Sequence, residues 1–525
     1  MCLCARMAGN FVVLVLLSLC AFCYSYKFLV IFPIPGKSHS ILGEGYLRHL
    51  INAGHEVTYL TAIPAKISSL KLRNVVLESN VEYFAIDKTF DIAKIINKEI
   101  FLNEYGHILD AMFGIANATI FHPKVQELIM DDKENFDAII AEWMFNDLYS
   151  AFSAVFGCPL IWSSSVNAHP MLLSVIDEAP NPAYTADLIQ SASVPPFSFV
   201  ERVEQLWILL RMKYLQWKLS SRDELSYELA FSTAVSKRGK SLPSYKAVQY
   251  NGSIVLANAH VATGEAMRLP MNHINIGGYH INESSIIPLP QELQSAMDNS
   301  KDGVIYFSMG TVLKSRGLPD SIKNGLIKIF SELKYTVIWK FEDKLSDLPK
   351  NLYVVDWAPQ QSILAHPKCV LFITHGGLLS TTEAIHFGVP IIGIPMFADQ
   401  YLNIKRAEAK GFGKKVAMNY NTPVVLKTAI EEVLSTPRYR QVVKELSLIY
   451  HDRPVSPGAE LVHWVEHVVK TRGALHLRSP ALHVPFYQKL YLDLLAIILV
   501  SIAIIAYVLH NYSRNITDLH KTKCD

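Results

Sequence analysis

The stretch from Trp357 to Asn403, WAPQQSILAHPKCVLFITHGGLLSTTEAIHFGVPIIGIPMFADQYLN, constrains the fold more than any other part of this chain. It alternates short apolar runs of strand length with longer helix-like runs. The run VLFIT ends in His375-Gly376-Gly377, IIGIP ends in Phe397-Ala398-Asp399-Gln400, and the VVD just before the stretch ends in Trp357. Strands alternating with helices build a parallel sheet, and an open parallel sheet binds ligands at the carboxyl ends of its strands. An aromatic, a histidine on a glycine turn and an Asp-Gln pair at such ends describe a site for a nucleotide joined to something hydroxylated.

The two ends of the chain read differently. Half of the 525 residues are hydrophobic, more than a soluble α/β body needs, and the excess sits at the termini. Arg6 followed by an apolar core from Phe11 to about Phe22, with Cys23 and Ser25 ahead of Tyr26, predicts a signal peptide over residues 1–25. The uncharged run from Leu494 to Leu509, extended by Tyr491 and Leu492 across Asp493, predicts a transmembrane helix over 490–510 and a cytosolic tail over 511–525. This arrangement makes a type I membrane protein with a lumenal body. Within that body only Cys158 and Cys369 remain, so no disulfide framework is expected. Asn117, Asn251 and Asn282 begin glycosylation sequons on the lumenal side. A formal net charge of +2 gives little support to a nucleic-acid partner.

The body reads as two doubly wound, Rossmann-like α/β domains, 26–285 and 286–478. The first opens with the strand YKFLVIFP, the turn from Pro35, a helix over Ile41–Ala53 closed by Gly54, and a second strand, HEVTYLT. His39 falls in the loop after the first strand. An amphipathic run from Val200 to Lys218 places Trp207, Leu210, Tyr214 and Trp217 near one side. It is read as a core-facing helix, with a membrane-surface helix as the alternative. A Pro- and Ser-rich connection near Gly277 to Asp302 separates the domains, and VIYFSMGT begins the second. One helix is predicted over Thr422–Tyr450 and another over Ala459–Thr471.

Trp357 to Gln400, together with FSMGT, the leader and the C-terminal anchor, resembles the donor-binding signature of the UDP-glycosyltransferase family, and the resemblance covers essentially the whole chain. It implies a GT-B type fold, two such domains facing a cleft, with the acceptor bound by the first and the UDP-sugar by the second. Physical chemistry gives the residues parts to play. Trp357 offers uracil a flat face, the backbone at Ala358 an edge, and Gln360 a reach to the ribose. His375 and Gly377 open a helix whose N-terminus suits a diphosphate, and Ser308 and Thr311 stand at another strand end beside it. The resemblance gives Glu383 the ribose hydroxyls and Ser380 a phosphate, although Ser380-x-x-Glu383 also reads as a capping box. Asp399 and Gln400 are placed on the sugar hydroxyls. Leu379 stands where many relatives carry asparagine, and LeuLeuSer here resembles arthropod members.

A catalytic base is expected from the first domain, since an acceptor hydroxyl attacks poorly until a base takes its proton. His39 matches the family's base. A carboxylate fixes such a histidine's tautomer; the family pattern has Asp after the strand that here reads FDAIIAE, where this chain has Glu142, with Asp147 as fallback. The resemblance therefore implies inverting transfer of glucose or glucuronate from a UDP-sugar to a hydroxyl of a small lipophilic acceptor, as in detoxification or in hormone or odorant conjugation. No Asp-x-Asp motif occurs, so no metal and no further cofactor are expected. The alternative is a membrane-anchored protein that binds UDP-sugar or a lipophile without turnover. Lys521 and Lys523 in the tail resemble a dilysine retrieval signal and point to the endoplasmic reticulum membrane. Donor sugar, acceptor and any homo-oligomer are left open.

Overall fold

A computed structural model describes residues 25–83, 92–282, 286–312 and 315–521. The leader core, Ser284 of the third sequon and Lys523 of the tail lie outside those residues. Among the described residues, those up to Arg478 form one compact unit and those from Ser479 a second.

The first sheet of the large unit is built from β1 (Lys27–Phe32), β2 (Glu56–Thr61), β3 (Leu72–Val76), β4 (Ala138–Trp143), β5 (Leu160–Ser164), β6 (Gly252–Ala257) and β7 (His273–Asn275) in the order β3-β2-β1-β4-β5-β6-β7. All its pairings are parallel. Helix α1 (Lys37–Asn52) follows β1, α2 (Tyr105–Ile120) precedes β4, and α3 (Phe199–Lys237) precedes β6. Strands covered on both faces need continuous apolar runs, and β1 and β4 are buried almost throughout.

The second sheet repeats the winding with β8 (Val304–Ser308), β9 (Thr336–Lys340), β10 (Leu352–Val355), β11 (Cys369–Thr374), β12 (Ile391–Gly393) and β13 (Gly413–Lys415) in the order β10-β9-β8-β11-β12-β13. Helices α4 (Gln360–Ala365), α5 (Leu378–Phe387) and α6 (Gln400–Lys410) carry the residues of the opening stretch. Each sheet reverses its strand order beside its own first strand, between β1 and β4 and between β8 and β11. The crevice for a ligand opens at such a point; the ends of β1 and β4 border the first, those of β8 and β11 the second, while Trp357 follows the edge strand β10 and Asp399 follows β12.

Two local readings change. The helix predicted over Thr422–Tyr450 is two, α7 (Thr422–Ser435) and α8 (Pro437–His451). Pro437 has no N–H to continue the ladder and pushes Thr436 into an extended conformation. The next helix, α9 (Pro457–Lys470), returns to the first sheet: Leu461, Val465 and Val468 share a core cluster with Phe28, Val30 and Tyr46. The second change concerns α3, whose Gln205, Ile208 and Met212 face the interior while Trp207 and Trp217 are 66% and 73% exposed. The stripe read as core-facing is the outer face.

In the second unit, α10 (Leu492–Lys521) contains a 25-residue segment, Leu492–Ile516, long and apolar enough to cross a membrane.

Candidate active site

The first half of the site stands where β1 gives way to α1. That helix starts at Lys37, earlier than the pattern from Ile41 suggests, because Gly36 adopts the extended N-cap conformation and its carbonyl accepts from the Ser40 N–H at 3.1 Å. His39 is therefore in the first helical turn, not in a loop. A Cβ on Gly36 would lie 2.8 Å from His39 Cδ2, so only glycine leaves room for the imidazole there. The imidazole side chain is 20% exposed, and its Nδ1 lies 2.5 Å from Glu142 Oε1 on the adjacent strand β4. Glu142 is fully buried, and the same oxygen accepts from Ser165 Oγ. Burial pulls the His39 pKa down, but the Glu142 carboxylate, its hydrogen bond and the charge of Asp399 outweigh it and hold the pKa above 6.5. Asp147 does not compete for His39. Its Oδ1 accepts from Trp143 Nε1 at 2.7 Å and its Oδ2 from Gln249 Nε2 at 2.6 Å.

The second half is wound around His375, at the end of β11. Gly310 has φ +80°, a left-handed value, and a Cβ there would lie 2.6 Å from His375 Cε1; one on Gly377 would lie 2.7 Å from Nε2. The ring thus rests between two glycines that no side-chain-bearing residue could replace without displacing it. Burial and the neighbouring Lys340 ammonium lower the His375 pKa to about 4, so the ring is neutral at physiological pH and offers a hydrogen bond without charge. Lys340 is buried at the end of β9, with Nζ donating to Gly310 O at 2.9 Å and to Glu342 Oε1 at 2.7 Å. It fixes the Gly310 turn from behind and supplies a fixed positive charge near the ring. Ser308 ends β8 and accepts from the Gly310 N–H at 3.3 Å; Thr311 lies just beyond, half-buried.

The N-cap of α5 is Gly377, which makes Ser380 the third helical residue and Glu383 the sixth. The capping-box reading is thereby overturned: neither residue can serve as the cap. Instead both point into a polar cluster with Gln360. Gln360 Nε2 donates to Ser380 Oγ at 3.1 Å and to Glu383 Oε2 at 2.5 Å, Gln361 Nε2 donates to Glu383 Oε1 at 2.8 Å, and Tyr306 OH donates to Gln360 Oε1 at 3.3 Å. His280 Nε2 stands 3.6 Å from Glu383 Oε1. Burial raises the Glu383 pKa, but His280 and the two amides lower it further, leaving a buried carboxylate below its ordinary value. A carboxylate has about four lone-pair positions, which leaves capacity for ribose hydroxyls.

Asp399 precedes α6 and accepts from Asn403 Nδ2 at 2.7 Å; burial raises its pKa, against Asn403 and the charge of His39. Gln400 is buried, and its Oε1 accepts from the Met396 and Phe397 N–H groups at 2.9 and 3.2 Å. Its carbonyl end holds the turn after β12, so only the amide end remains for a sugar. Trp357 is 44% exposed, and the Lys37 ammonium lies 3.5 Å from its ring centroid. Ala358 beside it is buried in the core of the second sheet.

The two halves meet across several contacts. Ala398 N–H donates to Asn103 Oδ1 at 2.8 Å, Arg406 Nε donates to Glu265 Oε1 at 2.7 Å, and Leu379 packs against the core cluster of the first sheet. Leu379 therefore adds apolar contact across the cleft. Lys37, Ser165, His280 and Lys340 were not singled out from sequence. Lys37 alone had a signal, as a cation in the same turn as His39. Among the described residues no group of three or more His, Cys, Asp or Glu side chains is placed to hold a metal ion. Of the sequons, Asn117 lies inside α2 with Thr119 buried and bonded to Ile115 O, and Asn251 Oδ1 accepts from Arg478 Nη2 at 2.9 Å.

Comparison with known proteins gives this arrangement a family. Residues 28–524 match the family described as UDP-glucoronosyl and UDP-glucosyl transferase. The chain is 32% identical over 520 residues to UDP-glycosyltransferase UGT5 of Dactylopius coccus, covering 95% of this chain and 94% of that protein. It is 38% identical over 229 residues to UDP-glucuronosyltransferase 2A2 of Homo sapiens, covering 43% of this chain and 42% of that one. Among solved structures, Arabidopsis thaliana UGT89C1 complexed with UDP shares the fold at a TM-score of 0.53 and 16% identity, covering 85% of this chain and all of that one (100%). The fold is of the GT-B type.

Proposed function

From the premise that this chain belongs to the UDP-glucuronosyl and UDP-glucosyl transferase family, and is a UDP-glycosyltransferase, we propose that it transfers glucose or glucuronate, with inversion, to a hydroxyl of a small lipophilic acceptor. The observation that carries this reading is the 2.5 Å contact between His39 Nδ1 and Glu142 Oε1 at the switch point of the first sheet.

With Nδ1–H donating to Glu142, Nε2 keeps its lone pair and takes the acceptor's proton. The acceptor oxygen attacks the anomeric carbon, the bond from that carbon to the β-phosphate oxygen breaks, and UDP leaves with the electron pair. A single displacement from the opposite side inverts the anomeric centre. Glu142 stabilises the imidazolium that forms, and Ser165 holds the carboxylate in place. On the donor side the N–H groups opening α5 and the neutral His375 receive the diphosphate, with Lys340 a fixed charge behind the ring. Uracil is assigned to Trp357 and the backbone at Ala358, ribose to Glu383 and Gln360, and sugar hydroxyls to Asp399 and the amide of Gln400. No metal ion is given a role.

The C-terminal apolar helix supports a membrane-anchored enzyme, and we assign it to the endoplasmic reticulum with its body lumenal. Membranes from cells expressing the chain, incubated with labelled UDP-glucose or UDP-glucuronate and a panel of phenols, test the activity and choose the donor. Absence of transfer from both donors, with UDP still bound, would favour a binding protein instead.

A further inference from the structure

Helix α3 presents a face that the transfer reaction does not use. Phe199, Val203, Trp207, Leu210, Tyr214 and Trp217 recur at spacings of three and four and all are more than half exposed. At 1.5 Å per residue they make a continuous stripe about 27 Å long. A stripe of this size on a soluble body marks an interaction surface.

We infer that this face of α3 lies in the headgroup layer of a bilayer. Three observations choose lipid over a second protein. The stripe contains two tryptophans and a tyrosine, whose apolar rings carry one polar edge and favour the membrane–water boundary. Its shoulders are cationic, with Arg202 and Lys213 on one side and Arg211 and Lys218 on the other. This is the layout of a helix lying flat on anionic lipid. Of the three acids nearby, Glu201 is engaged in the capping box with Ser198 and exposed Glu104 is paired with Arg211, leaving Glu204 on a shoulder. Finally, the same chain carries the apolar segment Leu492–Ile516, long enough to cross a bilayer, so a lipid surface is one that this chain can meet.

The test uses the full chain in vesicles of phosphatidylcholine with a minor share of phosphatidylserine. Nitroxides are attached at Trp207→Cys and Tyr214→Cys, and at exposed Glu431→Cys as the aqueous control, subtracting the signal of the labelled unsubstituted chain. The inference expects collisions with oxygen to exceed those with a nickel chelate at 207 and 214, and the reverse at 431. It also expects that contrast to fall when phosphatidylserine is omitted. An aqueous pattern at 207 and 214 overturns the inference, as does spin–spin broadening between labels, which would mean a second copy. No fall without phosphatidylserine overturns the part given to the four cations. UDP binding equal to that of the unsubstituted chain shows each variant folded, and Val203→Cys or Leu210→Cys on the same face replaces any that is not.

Discussion

The Lys37 ammonium lies 3.5 Å from the centre of the Trp357 indole ring. A residue of the acceptor side, two positions before His39, thus covers a face of the aromatic assigned to the uracil. A cation over an exposed or partly desolvated ring contributes about 0.5–2 kcal/mol, a modest barrier for a base that stacks with about 1–3 kcal/mol. Lys37 is therefore expected to give way when UDP enters. Lys37→Met, which keeps the stem, should tighten UDP binding several-fold, and Trp357→Ala should weaken it by about 1–3 kcal/mol. Calorimetric titration with UDP distinguishes the two; weaker binding by Lys37→Met would instead make the ammonium a donor ligand.

Removing the base should separate chemistry from binding. His39→Ala is expected to reduce kcat by roughly 10²–10⁴-fold while UDP affinity stays near that of the wild type. Glu142→Gln should lose much of the activity as well, because an amide can hold the ring but cannot stabilise the imidazolium. Single-turnover assays with UDP-glucose and a phenol, beside UDP titration, decide whether the loss lies in kcat.

The direction of the His39 shift sets the pH dependence. With a pKa above 6.5, the free base appears only as pH rises through that raised value, so kcat/KM should climb along an acid limb centred above 6.5. Glu142→Gln leaves burial as the dominant influence, and the limb should move to lower pH. The same contact affects stability. A raised folded pKa contributes stability that is fully present below the unfolded value and lost as pH rises through the folded one. The drop in Tm caused by Glu142→Gln should accordingly be larger near pH 6 than near pH 8.

Gly310 offers a test of the diphosphate site that leaves every polar group in place. Alanine there must adopt φ +80° and bring its methyl 2.6 Å from His375 Cε1. Left-handed backbone alone costs about 1–2 kcal/mol, and the clash displaces the ring. Gly310→Ala should lower Tm and weaken UDP binding at least tenfold, about 1.4 kcal/mol. Unchanged UDP affinity would argue against His375 as a diphosphate ligand.

Arg406 and Glu265 pair across the cleft with Arg406 almost wholly buried. Removing one partner of a buried pair leaves an uncompensated charge, a loss of about 3–5 kcal/mol in dry surroundings and less here because Glu265 is partly exposed. Glu265→Gln should destabilise the chain by about 1–3 kcal/mol, measured by urea denaturation, and Glu265→Gln with Arg406→Met should recover part of that.

The winding of both sheets was legible in the chain. Buried parallel strands need apolar runs, and these runs stand out in order from KFLVIF to VLFIT. The glycine turns, the helix N-terminus after His375 and the identity of the donor stretch are equally local. They depend on residues a few places apart, whose spacing is written in the chain. Tertiary structure decided what distant residues do to one another. The choice of Glu142 over Asp147 depends on which carboxylate the strand β4 aims at His39. The capping box failed because Gly377 already ends the turn at that place. The apolar stripe of α3 has the same period whether it faces a core or the outside, and only the packing of Ile208 and Met212 against the body settled that. Lys37 over Trp357 and His280 beside Glu383 join residues far apart in the chain. Periodicity and local turn chemistry carry no information about such distances, because they are set by how two separately wound sheets close on each other.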